Sequence, residues 1–150
     1  MNRITDYYEL KLNIVEWIKE YAEKNKINSL VVGVSGGIDS AVVSTLCAET
    51  GMPTYVLGMP IHQNEEQESL SEAHLAWLTW KYTNATRLRF DMTRTFDTFV
   101  SSMDGYNDNK LALANTRSRI RMITLYQVAG SVGGIVVGTG NKVEDYGIGF

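Results

Sequence analysis

The chain is poor in the residues that would commit it to several environments. It has one cysteine, Cys47, among 150 residues. One cysteine cannot form an internal disulfide, which fits a reducing cytoplasm. No cysteine or histidine cluster has the spacing of a zinc site. No apolar run approaches the roughly 20 residues that span a bilayer. The start, MNRITDYYELKLNIVEW, carries acidic residues early and no clean apolar block, so no signal peptide and a cytoplasmic location are expected. Charge of one sign is not in excess: 14 Lys and Arg against 17 Asp and Glu leave a net charge of −3. That balance gives no general pull toward nucleic acid or an anionic membrane. Internal repeats and low-complexity segments are absent too. What remains is 44% apolar and 21% charged, the composition of an ordinary globular protein, long enough for one domain over 1–150 with its own core.

The apolar pattern alternates between two periods. Leu10, Ile14, Trp17, Ile18 and Tyr21 recur at helical spacing over about residues 4–24. "SLVVGVS" then reads as a strand buried on both faces. "IDSAVVSTLCAETG" predicts a helix ended by Gly51, with Cys47 as a small buried hydrophobe. "TYVLGMP" predicts a second strand. "NEEQESLSEAHLAWLTWKYT" predicts a helix with acidic residues at its start and Leu70, His74, Leu75, Trp77 and Leu78 on its buried side. "TRLRFDM" predicts a third strand, with Arg87 and Arg89 alternating against Leu88 and Phe90. A short helix, "TRTFDTFVSSM", and a loop, "DGYNDN", lead to a long helix over Lys110–Ser131 and a fourth strand, "IVVGT". Strands alternating with helices imply an α/β fold: an open parallel sheet with helices on both faces, Rossmann-like. Such sheets bind ligands beyond the carboxyl ends of their strands, where the strand order reverses. Two glycine-rich turns, "GVSGGIDS" and "GTGNKVED", each follow a strand and so lie at that edge.

The first turn carries the sharper chemistry. Its glycines let the backbone bend tightly and come close to a ligand. The free N–H groups and the dipole at the following helix start favour an anion. Ser35 and Ser40 add hydroxyls, so the stretch reads as a cradle for phosphate or pyrophosphate. Asp39 is out of place beside phosphate. Two like charges about 4 Å apart cost on the order of 4 kcal/mol at an effective dielectric of 20. A divalent cation reverses that sign, which makes Asp39 a candidate magnesium ligand; the plainer alternative is a carboxylate decorating a helix start. The stretch is neither a GxxxxGK[ST] loop nor a GxGxxG fingerprint.

"SGGIDS" resembles the pyrophosphate loop of the N-type ATP pyrophosphatases, which cleave ATP between its α- and β-phosphates and adenylate a substrate. Within that group, "LALANTRSRIRMITLYQVAG", "IVVGTGNKVEDYGIGF" and "FDMTRTFDTF" are similar, in order and spacing, to segments of the NAD synthetases. The resemblance runs from about Asn28 to the last residue. It implies amidation of deamido-NAD with ammonia through an adenylated intermediate, with ATP as co-substrate, Mg2+ as cofactor and a homodimer whose substrate site draws on both subunits. Carried onto this chain, it implies that Gly33, Val34, Ser35, Gly36, Gly37, Ile38, Asp39, Ser40 and Thr139 bind ATP. Asp39 and Glu144 would hold magnesium, and Arg119 would contact deamido-NAD. No residue receives an acid–base role. No glutaminase domain precedes the region, which points to free ammonia or ammonia from another protein. The family's last strand and helices, about a hundred residues, have no counterpart here, so truncation is the expectation and "IVVGT" would form an exposed edge.

Residues outside those motifs receive plainer readings. Without the resemblance, Arg117, Arg119 and Arg121 are a solvated helix face, on which Arg117 and Arg121 share a side and Arg119 points nearly opposite. His62 and His74 lack partners at useful spacing, and Asn141 and Lys142 carry no assigned contact. Trp77, Trp80 and Tyr82 read as core and helix surface. Two other functions stay open: an ATP–magnesium-binding module without chemistry, and a tRNA-modifying relative. The second expects a basic face and reactive cysteines, against which the net charge of −3 and the lone Cys47 argue.

Overall fold

A strand with no polar side chain beyond its first residue organises the molecule. The structure is a computed structural model and describes residues 6–141. In it β1 (Ser29–Gly33) is flanked on both sides, in a parallel sheet of order β3-β2-β1-β4. The neighbours are β2 (Thr54–Gly58), β3 (Ala85–Arg89) and β4 (Gly134–Val136). Val31 lies opposite Tyr55 on one side and Val136 on the other. The chain steps outward from β1 to β2 to β3, then returns to the opposite side of β1 with β4. The order therefore reverses between β1 and β4, as the alternation of elements implies. Among the described residues β4 is the sheet's edge on that side. It is shorter than its sequence suggests, although the Val137 N–H still donates to Val31 O at 2.9 Å.

Among the described residues the five helices are α1 (Tyr7–Lys24), α2 (Ile38–Glu49), α3 (Glu65–Lys81), α4 (Thr93–Ser101) and α5 (Lys110–Ser131). Strand alternation sorts them onto two faces. Leu30 and Val32 of β1 pack with Cys47 on the side of α1 and α2. Val56 of β2 packs there too, against Leu75 and Leu78 of α3. Val31 and Leu57 point the other way and meet Ala129 and Leu125 of α5. Burying each such Leu or Val contributes roughly 1.5–3 kcal/mol. On β3 the same alternation puts Leu88 against the α5 side and turns Arg87 and Arg89 toward α3. Arg87 pairs with Glu72, and Arg89 with Glu68 at 2.6 Å.

Two helix faces differ from their sequence pattern. On α1 the buried residues are Val15 and Ala22, while Trp17 and Tyr21 stack on each other at the surface. On α3 the buried residues are Ser71, Leu75 and Leu78; Leu70 is exposed, and Trp77 lies over His74 instead of in the core. In both cases large aromatic or aliphatic residues at helical spacing flank the true stripe. Val15 and Ala22 occupy its centre on α1, and Ser71, Leu75 and Leu78 on α3.

Candidate functional site

The loop between β1 and α2 is built by its own serines. Ser40 is buried, and its Oγ donates to Gly37 O at 2.9 Å while accepting from the Ser35 N–H at 3.1 Å. That leaves Ser35 Oγ as the donor in the 3.1 Å contact between the two hydroxyls, and Ser35 Oγ in turn accepts from the Gly37 N–H. Helix α3 braces the loop from outside, where Ser71 Oγ donates to Val34 O at 2.9 Å. Gly36 lies against the same helix with φ of +89°, and a Cβ there would sit 2.7 Å from Gln67 O. Both the turn and the close approach require glycine at this position.

The result is an open helix start. Asp6, Asn64 and Asn109 cap α1, α3 and α5 with their side chains, whereas Gly37 at the start of α2 offers none. The first intrahelical bond of α2 is Ala41 N–H to Gly37 O. The Ile38, Asp39 and Ser40 N–H groups precede it and have no intrahelical acceptor, the arrangement that receives an anion. Asp39 is exposed at this start. Asn141 Nδ2 donates to Asp39 Oδ2 at 3.2 Å, joining the turns after β1 and β4 across 102 residues of sequence.

Beside this loop opens a cleft of about 740 Å³ at the carboxyl ends of β1 and β2. Gly33, Val34, Ser35 and Thr139 line it. Gly36, Gly37, Ile38, Asp39 and Ser40 continue from that wall into the helix start but do not line the cleft itself. Helix α5 supplies the far wall through Arg117, Ser118 and Arg121. Arg121 is half-buried; its Nε donates to Met59 O at 2.9 Å and its Nη2 to Gln63 Oε1 at 3.2 Å. Burial, with the Arg117 guanidinium nearby, holds its pKa below the usual arginine range. Arg117 lies over the Phe96 ring at 4.6 Å. Arg119 faces away from the cleft, exposed, and donates to Asn115 O of its own helix at 3.1 Å. Glu144 and Lys142 lie outside the described residues.

Four residues at this site carried no assigned role in the sequence. Gln63 leaves no recognisable signal, whereas Asn141 lies in the glycine-rich turn "GTGNKVED", whose sequence placed it at this edge without naming its contact. His62 lines the cleft with φ of +45° and bonds Asp97 through Nε2 at 2.6 Å, a partner 35 residues away. Arg121 did leave a signal, since its four-residue spacing from Arg117 places both on one side of α5.

Among the described residues no group of three or more His, Cys, Asp or Glu converges on a point. Magnesium does not need one. It keeps several waters and takes one or two carboxylates together with phosphate oxygens. A single exposed carboxylate at an uncapped helix start fits that donor set. Among the described residues no helix is long and apolar enough to cross a membrane.

Comparison with known proteins shows the family. The NAD synthase family model matches residues 10–150. The NH(3)-dependent NAD(+) synthetase of Alkaliphilus metalliredigens is 36% identical over 137 residues, 87% of this chain and 55% of the relative. The structure of NMN synthetase from Francisella tularensis superposes with a TM-score of 0.85 at 28% identity, covering 95% of this chain and 58% of that one. The NH3-dependent NAD synthetase of Campylobacter jejuni, solved with nitrate, gives 0.83 at 28% identity, covering 96% and 62%. The chain thus spans about half the length of the curated relatives it matches.

Proposed function

Because the chain belongs to the NAD synthase family, we propose that it amidates deamido-NAD with ammonia, cleaving ATP to AMP and pyrophosphate by way of an adenylated substrate. One observation carries the reading. The Asn141–Asp39 bond holds the turns after β1 and β4 together at the uncapped start of α2, beside a cleft of nucleotide size. The N–H groups of Ile38, Asp39 and Ser40 receive the ATP phosphates, with Gly33–Gly37 shaping the approach and Thr139 on the adjoining wall. Asp39 holds magnesium, with Glu144 as the second carboxylate expected from its motif. When bound, the ion neutralises charge that gathers on the leaving pyrophosphate. Catalysis is then mainly positioning and charge neutralisation; an ammonia that arrives neutral needs no strong base.

Arg119 fits this reading through a second copy of the chain. It shares an exposed face of α5 with Ile123 and Tyr126, opposite the cleft. A homodimer packed on that apolar face would carry Arg119 toward the partner's substrate. The test is pyrophosphate release by the purified chain with ATP, magnesium, deamido-NAD and ammonium, beside Asp39→Ala. Nicotinic acid mononucleotide serves as the parallel substrate, given the resemblance to an NMN synthetase. Release that needs deamido-NAD and vanishes in the variant is expected. Magnesium-dependent ATP binding without release would instead favour a binding module that does no chemistry.

A further inference from the structure

The cleft's second wall carries charge that nothing among the described residues balances. Arg117 and Arg121 stand one helical turn apart on the inner face of α5. Neither forms an ion pair among the described residues. The carboxylates that line the cleft are already engaged, Glu68 with Arg89 and Glu72 with Arg87, and the Asp97 carboxylate is held by His62. Two like charges at this spacing repel, and Arg121 also gives up solvent. Yet both guanidiniums are fixed in place. Arg121 is tethered by Met59 O and Gln63, and Arg117 by the face of Phe96. Phe96 is itself buried, with its ring against the edge of His62.

Resting on the reading above, we infer that Arg117 and Arg121 form a two-guanidinium seat for an oxyanion of the bound nucleotide, separate from the phosphate cradle at α2. An arginine pair suits a phosphoryl or carboxylate group because each guanidinium presents a planar fork of donors. The tethers use Nε and Nη2 of Arg121, so its Nη1 donors remain for a ligand. Arg117 spends only its ring face on Phe96 and keeps all its donors. The reaction requires such a seat. A carboxylate must approach the α-phosphate of ATP, and both groups are anionic. The α2 cradle neutralises one end of the ATP; the arginine pair shares the cleft with Gly33, Val34 and Ser35, which lead into that cradle. Its ligand is an oxyanion of ATP or of the dinucleotide substrate, and these two sources separate by experiment.

The test is calorimetric titration of the intact chain with ATP–magnesium and with deamido-NAD, for wild type, Arg117→Gln, Arg117→Lys and Arg121→Lys. Lys110→Gln, exposed in the first turn of α5, is the control. Thermal melting in inorganic phosphate accompanies each. Arg117→Gln removes no backbone tether and should fold normally, which covers the chance that a change at Arg121 disturbs Met59. A loss of about tenfold in affinity for ATP in Arg117→Gln and Arg121→Lys, partly restored in Arg117→Lys, would place ATP's phosphoryl group at the seat. The same loss for deamido-NAD alone would place the dinucleotide there. Should wild type bind neither nucleotide, the proposed activity falls. The seat would stand only if phosphate still raised the melting temperature of wild type and not of Arg117→Gln. Folded variants that bind both nucleotides within twofold of wild type would overturn the inference, as would a chain indifferent to every one of these anions.

Discussion

Replacing Gly36 with alanine should cost more than any other single methyl group added to this loop, and the cost divides into two parts that a control can separate. The first is conformational. Gly36 sits at φ of +89°, where an L side chain costs roughly 1–2 kcal/mol. The second is steric. The added Cβ would lie 2.7 Å from Gln67 O and 3.3 Å from Ser71 N. These are backbone atoms of a helix that also packs Leu75 and Leu78 into the core, so they cannot swing aside as a side-chain tip would. Overpacking of this kind costs typically about 1–3 kcal/mol. Gly105→Ala isolates the first part, because Gly105 has φ of +77° and nothing within 4 Å of its added Cβ. Denaturant unfolding of the two variants should show Gly36→Ala destabilised by about 2–5 kcal/mol and Gly105→Ala by about 1–2. ATP–magnesium titration should show lost binding only in the first, because relief of the clash moves the cradle. Equal destabilisation of the two, with ATP affinity intact in both, would refute the claim that α3 holds this loop in its ligand-receiving shape.

Further outcomes follow from single groups. Ser40→Ala leaves the Ser35 N–H and Ser35 Oγ without their acceptor and should cost about 1–3 kcal/mol in denaturant unfolding while weakening ATP binding. The Cys47 thiol is pushed by burial from 9.0 up to about 12. A pKa raised in the folded state gives stability that is complete below pH 9.0 and drains away toward pH 12, by about 1.4 kcal/mol per pH unit. Cys47→Ala should flatten that slope, and the native thiol should resist a disulfide reagent at pH 8 until denaturant is added. Burial lowers the His74 pKa, so its contribution is complete above the ordinary histidine value and is lost as pH falls through the depressed one. Unfolding midpoints should drop below about pH 6.5 in wild type and less in His74→Gln.

Period and punctuation were enough to read the skeleton. Fixed glycines, caps and β-branched runs placed the helices and strands of the described residues, and α5 begins and ends where its pattern does. The misreadings have one cause. Leu70, Trp17 and Tyr21 are hydrophobic at helical spacing, but spacing fixes only an angle around the helix, not how near the neighbouring element comes. Ser71 takes the central position on α3 because its hydroxyl must reach Val34 O, a demand set by a loop 37 residues away. The turn after β1 was legible as a candidate phosphate cradle because the chemistry it offers is backbone chemistry, local to eight residues. The far wall was not. Met59 O, Gln63 and Phe96, which fix the inner arginines, come from two other segments and meet α5 only in the folded sheet.

The three arginines of α5 illustrate what spacing alone leaves undecided. Residues 117 and 121 lie within about 40° of each other around a helix of 3.6 residues per turn, and 119 lies about 160° away from either. One helix therefore serves two surfaces: the cleft of its own chain, and an exposed stripe with Ile123 and Tyr126. If Arg119 acts on substrate, it acts on the cleft of another copy, and complementation tests that directly. Asp39→Ala disables a chain's own cradle but leaves its Arg119 intact; Arg119→Gln does the reverse. Either variant alone should release little pyrophosphate. Mixed in equal amounts and allowed to exchange, half the dimers become heterodimers. Each of those regains one site with an intact cradle and an intact Arg119, so activity should rise to about a quarter of wild type under a two-fold symmetric interface. An arginine working within its own chain predicts no recovery at any mixing ratio. That result would confine the role of Arg119 to its own chain and remove the reason for placing the dimer on this face.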